Sequence, residues 1–147
     1  MSILTHIDSV ASFVQAFFPE VEVKYFIPKE PKENTLVIRA PATDLATETR
    51  YSIRTERDYQ LVYYTSDIGS ALERMDVLSR KVMDGRAVIP INDGSMRYIR
   101  VGSFSYGYPV ETEGGLFAII GVMPTETRQA RTQETYEQIQ KIATRFE

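Results

Sequence analysis

The chain has no cysteine among its 147 residues. That excludes a disulfide framework, thiolate metal ligands and a thiol nucleophile. It has one histidine, His6, and the positions three and four residues on are Ser9 and Val10 rather than carboxylates. A helical metal-ligand pair is therefore missing, and His6 reads as a solvated helix residue. A serine nucleophile would need that same histidine as its base, and no G-x-S-x-G elbow occurs. The eight glycines never form a phosphate loop or a dinucleotide fingerprint, and Gly114-Gly115 leads into a strand pattern rather than a helix. Glu111 and Glu113 flank Thr112, but two carboxylates fall short of a calcium shell. A basic excess is also missing. Seventeen Lys and Arg stand against 20 Asp and Glu, a net charge of −3, which disfavours a protein that holds nucleic acid by neutralising phosphates. Long hydrophobic runs are absent too. The longest, residues 116–123, has the length of a strand, far short of a bilayer span. The N-terminus lacks a basic region and carries Asp8 among its apolar residues, unlike a signal peptide. The expectation is a soluble, intracellular protein with no catalytic residue, metal or cofactor.

What is present fits one domain over residues 1–147. Hydrophobic residues make up 43% and charged residues 25%, near the average for a globular domain. Ile3, Ile7, Val10, Val14 and Phe17 recur at helical spacing, widened by Phe13 and Phe18, and Pro19 ends the helix. Val21, Val23 and Tyr25 alternate as in a half-buried strand. A polar, proline-containing loop covers 28–34, and 35–40 (TLVIRA) reads as a strand, with a turn over 41–46. Residues 47–65 carry the longest β pattern. Tyr51, Ile53, Tyr59, Leu61 and Tyr63 occupy one phase, and Arg50, Arg54, Glu56, Asp58 and Gln60 the other. Together the two strands predict a long hairpin with a polar outer half.

Asp67 is placed to cap a helix over 68–83 whose stripe is Ile68, Leu72, Met75, Leu78 and Val82, ended by Asp84-Gly85. Two strands, 86–91 and 96–106, flank the turn Asn92-Asp93-Gly94-Ser95. Pro90 predicts an edge position for the first, and Gly102 marks a bulge in the second. A loop over 107–115 leads to 116–123, apolar in both phases and expected to be buried on both faces. Residues 124–131 read as an exposed connector. Tyr136, Ile139, Ile142, Ala143 and Phe146 predict a last helix from Thr132, so that 129–147 form a C-terminal helical extension. The class is α+β: a mainly antiparallel mixed sheet with a long β-hairpin, packed by two helices, plus that C-terminal helix.

Several of the nine tyrosines lie in strands. Aromatics beside arginines can stack single-stranded bases, but here they alternate with acidic residues as well, which favours core or protein interface.

The order of elements resembles a known family. An amphipathic helix ends in Phe17-Phe18-Pro19. A V-x-V-x-Y strand and T-L-V-I-R follow, then a long strand R-Y-S-I-R-T-E-R-D-Y-Q-L-V-Y-Y from Arg50 to Tyr64. Ser66-Asp67 then opens a helix containing A-L-E-R-M-D-V-L. From Ile3 to about Met123 this is similar to the small α+β tail-terminator, or tail-completion, proteins of tailed bacteriophages. The added C-terminal segment departs from that pattern. The resemblance implies a non-catalytic virion protein, assembled in the host cytoplasm and then resident in the tail or neck. It would form a ring, commonly a hexamer, that caps the tail tube, stops its polymerisation and presents a docking surface to the head. Its implied partners are copies of itself, the tail tube protein and the head connector; DNA would pass through the ring without specific binding, and no membrane is involved. Subunit-interface candidates are Arg50, Arg54 and Glu56 on the exposed phase of the long strand, and Tyr106 and Tyr108 around Gly107. The sheet edge near Pro90 is a further route for pairing between subunits. A head-completion or head-to-tail joining protein is the neighbouring alternative. A small-ligand-binding α+β domain is the alternative from another class, favoured if the Tyr51, Tyr59 and Tyr63 face encloses a cavity rather than packing under a helix.

Overall fold

The computed structural model describes residues 3–130. Among them are two helices, α1 (Ile3–Phe17) and α2 (Ile68–Met83), and eight strands. The strands are β1 (Glu22–Lys24), β2 (Thr35–Thr47), β3 (Ser52–Thr65), β4 (Val88–Pro90), β5 (Tyr98–Val101), β6 (Ser105–Tyr106), β7 (Val110–Glu111) and β8 (Phe117–Ala130). They form one sheet in the order β1-β2-β3-β8-β5-β4, with β6 and β7 also paired to β8. Every pairing is antiparallel except β1 with β2. The α+β class is as the sequence indicates. The expected helix from Thr132 lies outside the described residues.

Both helices pack on one face of the sheet. Val10 and Val14 of α1 and Ala71, Met75, Leu78 and Val82 of α2 are buried against Leu36, Ile38, Tyr59, Leu61, Tyr63, Ile119 and Met123. These strand residues alternate with outward ones, as a pleated strand with one covered face requires. Asp67 caps α2 as expected, with its Oδ1 accepting from the Gly69 amide at 3.2 Å, and Asp84 closes the helix. The turn before β5 has Gly94 at φ 80, and Pro90 lies in the last strand of the order. Gly121 faces α2. A Cβ there would stand 3.1 Å from both Met75 Sδ and Phe104 Cε1, so the absent side chain lets the helix approach the strand closely.

The hairpin and the last strand differ from the sequence expectation. The chain turns at residues 48–51, not at 41–46, and β2 continues through Pro41 to Thr47. The register shifts between Arg39 and Ala42. A bulge there accommodates the proline, and its missing N–H falls on a strand that, among the described residues, has no partner on its outer side at that point. Thr49 holds the turn: its Oγ1 accepts from the Tyr51 and Ser52 amides, which is local side-chain chemistry typical of such loops. Residues 124–130 are not a connector either. They extend β8, paired along β3 as far as Ser52↔Ala130. Pro124 is tolerated inside the sheet because it sits where the neighbour of β8 changes from β6 to β5. The Gly102 amide donates to its carbonyl there, at 2.8 Å. Strand β8 is also not buried on both faces. Ile119, Gly121 and Met123 are buried under the helices, whereas Ile120 on the reverse face is 43% exposed. That reverse face carries its own smaller cluster, Val37, Val62 and Tyr64 with Leu116 and Ala118. The 107–115 loop contains the short strand β7.

Candidate assembly surface

The proximal halves of β2, β3 and β8 lie beneath the helices; their distal halves continue as a three-stranded blade. Directly opposed residues of antiparallel strands point to the same side, so the register gives the rows of the blade. On the side away from the helices, Ala46, Arg54 and Arg128 form one row, and Asp44, Glu56, Glu126 and Arg100 the next. Arg100 opposes Glu126, but elsewhere like charges face each other across strands, Arg54 to Arg128 and Asp44 to Glu56 to Glu126, an unfavourable arrangement on its own. Neighbours along the strands relieve it. Arg54 Nε lies 3.2 Å from Glu56 Oε1, and Arg128 lies 2.6 Å from Glu48 and 3.9 Å from Glu126. The Arg128 guanidinium holds the Glu48 carboxyl below the usual carboxylate range, chiefly through that hydrogen bond.

On the helix side the blade is lined by Thr55, Thr125 and Thr127, all buried, and by Arg57. The Thr125 hydroxyl donates to the Arg57 carbonyl at 2.9 Å. Arg57 reaches α1, where its guanidinium donates to Nδ1 of His6. His6 is not the solvated residue expected from sequence. It is 3% exposed, because its stripe on α1 is His6, Val10 and Val14, whereas Ile3 and Phe17 are exposed. Burial lowers its pKa from 6.5 to about 4, and the charges of Arg57 and Arg97 add to that effect. A neutral ring is also what Nδ1 needs in order to accept from an arginine. Sequence reasoning missed this pair, although its signal was present: Arg57 lies in the apolar phase of β3, between Ile53 and Tyr59, and His6 lies four residues before Val10.

The five interface candidates do not form one patch. Arg50 is exposed in the hairpin turn, and Arg54 and Glu56 lie on the reverse face of the blade. Tyr106 pairs with Gly121, on the helix side, and its hydroxyl donates to Asp76 Oδ1 of α2 at 3.1 Å. Desolvation first, and then Asp76, raise its pKa. Tyr108 is 71% exposed. Tyr59 and Tyr63 are buried under the helices, and Tyr51 is exposed at the turn. The gap beside Tyr63, lined by Val14, Phe18, Leu36, Met75 and Leu78 among others, has a volume of about 10 Å³. That is room for about one water and not for a ligand. Among the described residues no group of three or more His, Asp or Glu side chains is placed to hold a metal ion, and no helix is long and apolar enough to cross a membrane.

Comparison with known proteins leaves the family open. No family model matches the chain, and no curated protein matches it. A solved structure whose name carries no functional description is similar at 13% identity and a TM-score of 0.46, covering 88% of this chain and 92% of that one. A likeness at that level carries no functional argument.

Proposed function

We propose that this protein is a non-catalytic assembly component of a tailed-phage virion. In this reading copies of the chain form a ring, a hexamer by the habit of the family it resembles. The ring caps the finished tail tube, stops its growth and offers the head connector a docking surface. The observation that supports it is the blade. Three strands of 13, 14 and 14 residues run on past the helix-covered core into a segment whose reverse face is charged. The clefts along its charged rows are open and lined mainly by charged residues, unlike the concave, mostly apolar pocket that holds a small molecule, and patterned charge of both signs steers one protein surface onto another. The net charge of −3 suits a ring through which DNA passes without sticking. The partners are then further copies of the chain, the tube protein and the connector. The site of action is the tail or neck of the virion, after assembly in the host cytoplasm.

The test is direct. Purified protein is added to growing tail tubes, which are imaged by electron microscopy. Extra density at one tube end, with elongation arrested, is the expected result. Tubes that lengthen normally with bare ends contradict the proposal, and binding to connectors alone moves the function to head-to-tail joining.

A further inference from the structure

Among the described residues the sheet has two open edges, and they differ in chemistry. Strand β1 covers β2 only along Thr35, Leu36 and Val37, so among the described residues no strand lies on the outer side of 38–47 of β2. Beyond the bulge, residues 42–47 pair with β3 in unbroken register and form an edge of roughly 20 Å at the usual strand rise. This edge carries Asp44 and Leu45, both exposed, Leu45 by 64%. At the opposite side of the sheet β4 is the last strand. The Val101 amide donates to the Ala87 carbonyl and the Ile91 amide to the Arg97 carbonyl, so residues 87, 89 and 91 face inward. Val88 and Pro90 then face outward. Proline has no N–H, which leaves this edge two carbonyls and one donor. It is flanked by Arg86, which is exposed, and by Met96, which is 89% exposed. Neither Asp44 nor Arg86 makes an ion pair with any described residue.

We infer that the distal β2 edge of one copy docks against the β4 edge of a second copy, head to tail. This rests on the assembly reading above and names its contact. One edge presents an acidic residue and an exposed leucine, and the other a basic residue and an exposed methionine. Unlike patches that fit each other produce a heterologous contact, which repeats from subunit to subunit and closes into a ring when the rotation allows. Two β2 edges together would oppose Asp44 to Asp44, and two β4 edges would oppose Arg86 to Arg86 and leave Pro90 unable to donate. Opposite charge favours the mixed pairing and disfavours both like pairings. Pro90 also limits strand addition at the β4 edge, so that the side chains, more than a long ladder, set the specificity.

Because the chain has no cysteine, introduced thiols report the contact without background. Asp44→Cys and Arg86→Cys proteins are made separately and together, then treated with a short bis-maleimide while light scattering follows the oligomeric state. The expected result is cross-linked dimer from the mixture of the two single variants, little from either alone, and a ladder of multimers from the double variant. Cross-linking of either single variant with itself overturns the head-to-tail arrangement, as does a missing ladder in a sample that scatters as an oligomer. A sample that remains monomeric at every concentration removes the ring reading itself, a separate outcome. In a second arm, Asp44→Arg or Arg86→Glu alone weakens self-association about tenfold, through like-charge juxtaposition. The combined reversal restores it. Equal weakening in the double variant, with no recovery, also overturns the inference.

Discussion

The two halves of the same three strands obey different rules. In the proximal half, residues such as Ile38, Leu61, Tyr63 and Ile119 are buried beneath α1 and α2, and their removal leaves a cavity. In the distal half the helix-side positions are Thr55, Thr125 and Thr127, and the reverse face carries Arg54, Glu56, Glu126 and Arg128. Hydrogen bonding of the backbone continues unbroken from one half to the other along β3 and β8, while apolar burial does not. The pairing extends the sheet; the packing decides where its stability resides. A sheet prolonged past its own core offers surface and edge to other molecules at small cost to the fold.

This contrast can be broken by substitution. The largest effect is expected in the proximal half: Leu61→Ala should cost about 2–5 kcal/mol by chemical denaturation, from lost burial plus the cavity. Exposed Leu45→Ser in the blade should stay within about 0.5 kcal/mol. Equal costs would show that the blade carries its own core. Next is Gly121→Leu, which drives a side chain into Met75 and Phe104. Overpacking of that kind costs about 1–3 kcal/mol, and a neutral result would mean that α2 does not pack on β8 as described. Asn34→Ala is smaller, about 1–2 kcal/mol. Asn34 holds φ 60, which alanine disfavours, and its Oδ1 accepts from the Tyr63 hydroxyl at 2.6 Å, an interaction the variant loses.

The seam between the halves gives a pH signature. Folded His6 has its pKa lowered to about 4 from 6.5, so between those values the unfolded chain binds more protons than the folded one. Stability from this residue is complete above about pH 6.5 and declines as pH falls toward 4. Melting temperatures measured across that window should drop in the parent protein and drop less in His6→Gln. Identical slopes would remove His6 from the balance.

Much of the proximal half was legible in the sequence because its signals are local. Asp67 before an apolar stripe, Pro19 after one, and Asp93-Gly94 between two β patterns each fix their own neighbourhood. The blade was less legible. Pro41 and Pro124, with polar neighbours, have the composition of loops. They are strand residues because one lies at a bulge on an edge that no described strand covers and the other where the neighbour of β8 changes. Those are facts of tertiary pairing. The buried stripe of α1 was misjudged for a related reason. His6 replaces an apolar residue at a core position, and only its contact with Arg57, 51 residues away, shows why it is tolerated there. Of the interface candidates, Arg54 and Glu56 were correctly read as the outward phase of β3, whereas the tie from Tyr106 to Asp76 is invisible without the placement of α2 beside β6.

Self-association through surface that the core does not need is the proposal on which both the ring and its edge contact rest. Static light scattering across a wide concentration range, on the parent protein and on Arg86→Glu, tests it most directly. A discrete multimer is expected for the parent and a lower mass for the variant, with the same melting temperature in dilute solution. A parent protein that stays monomeric at every concentration would contradict it.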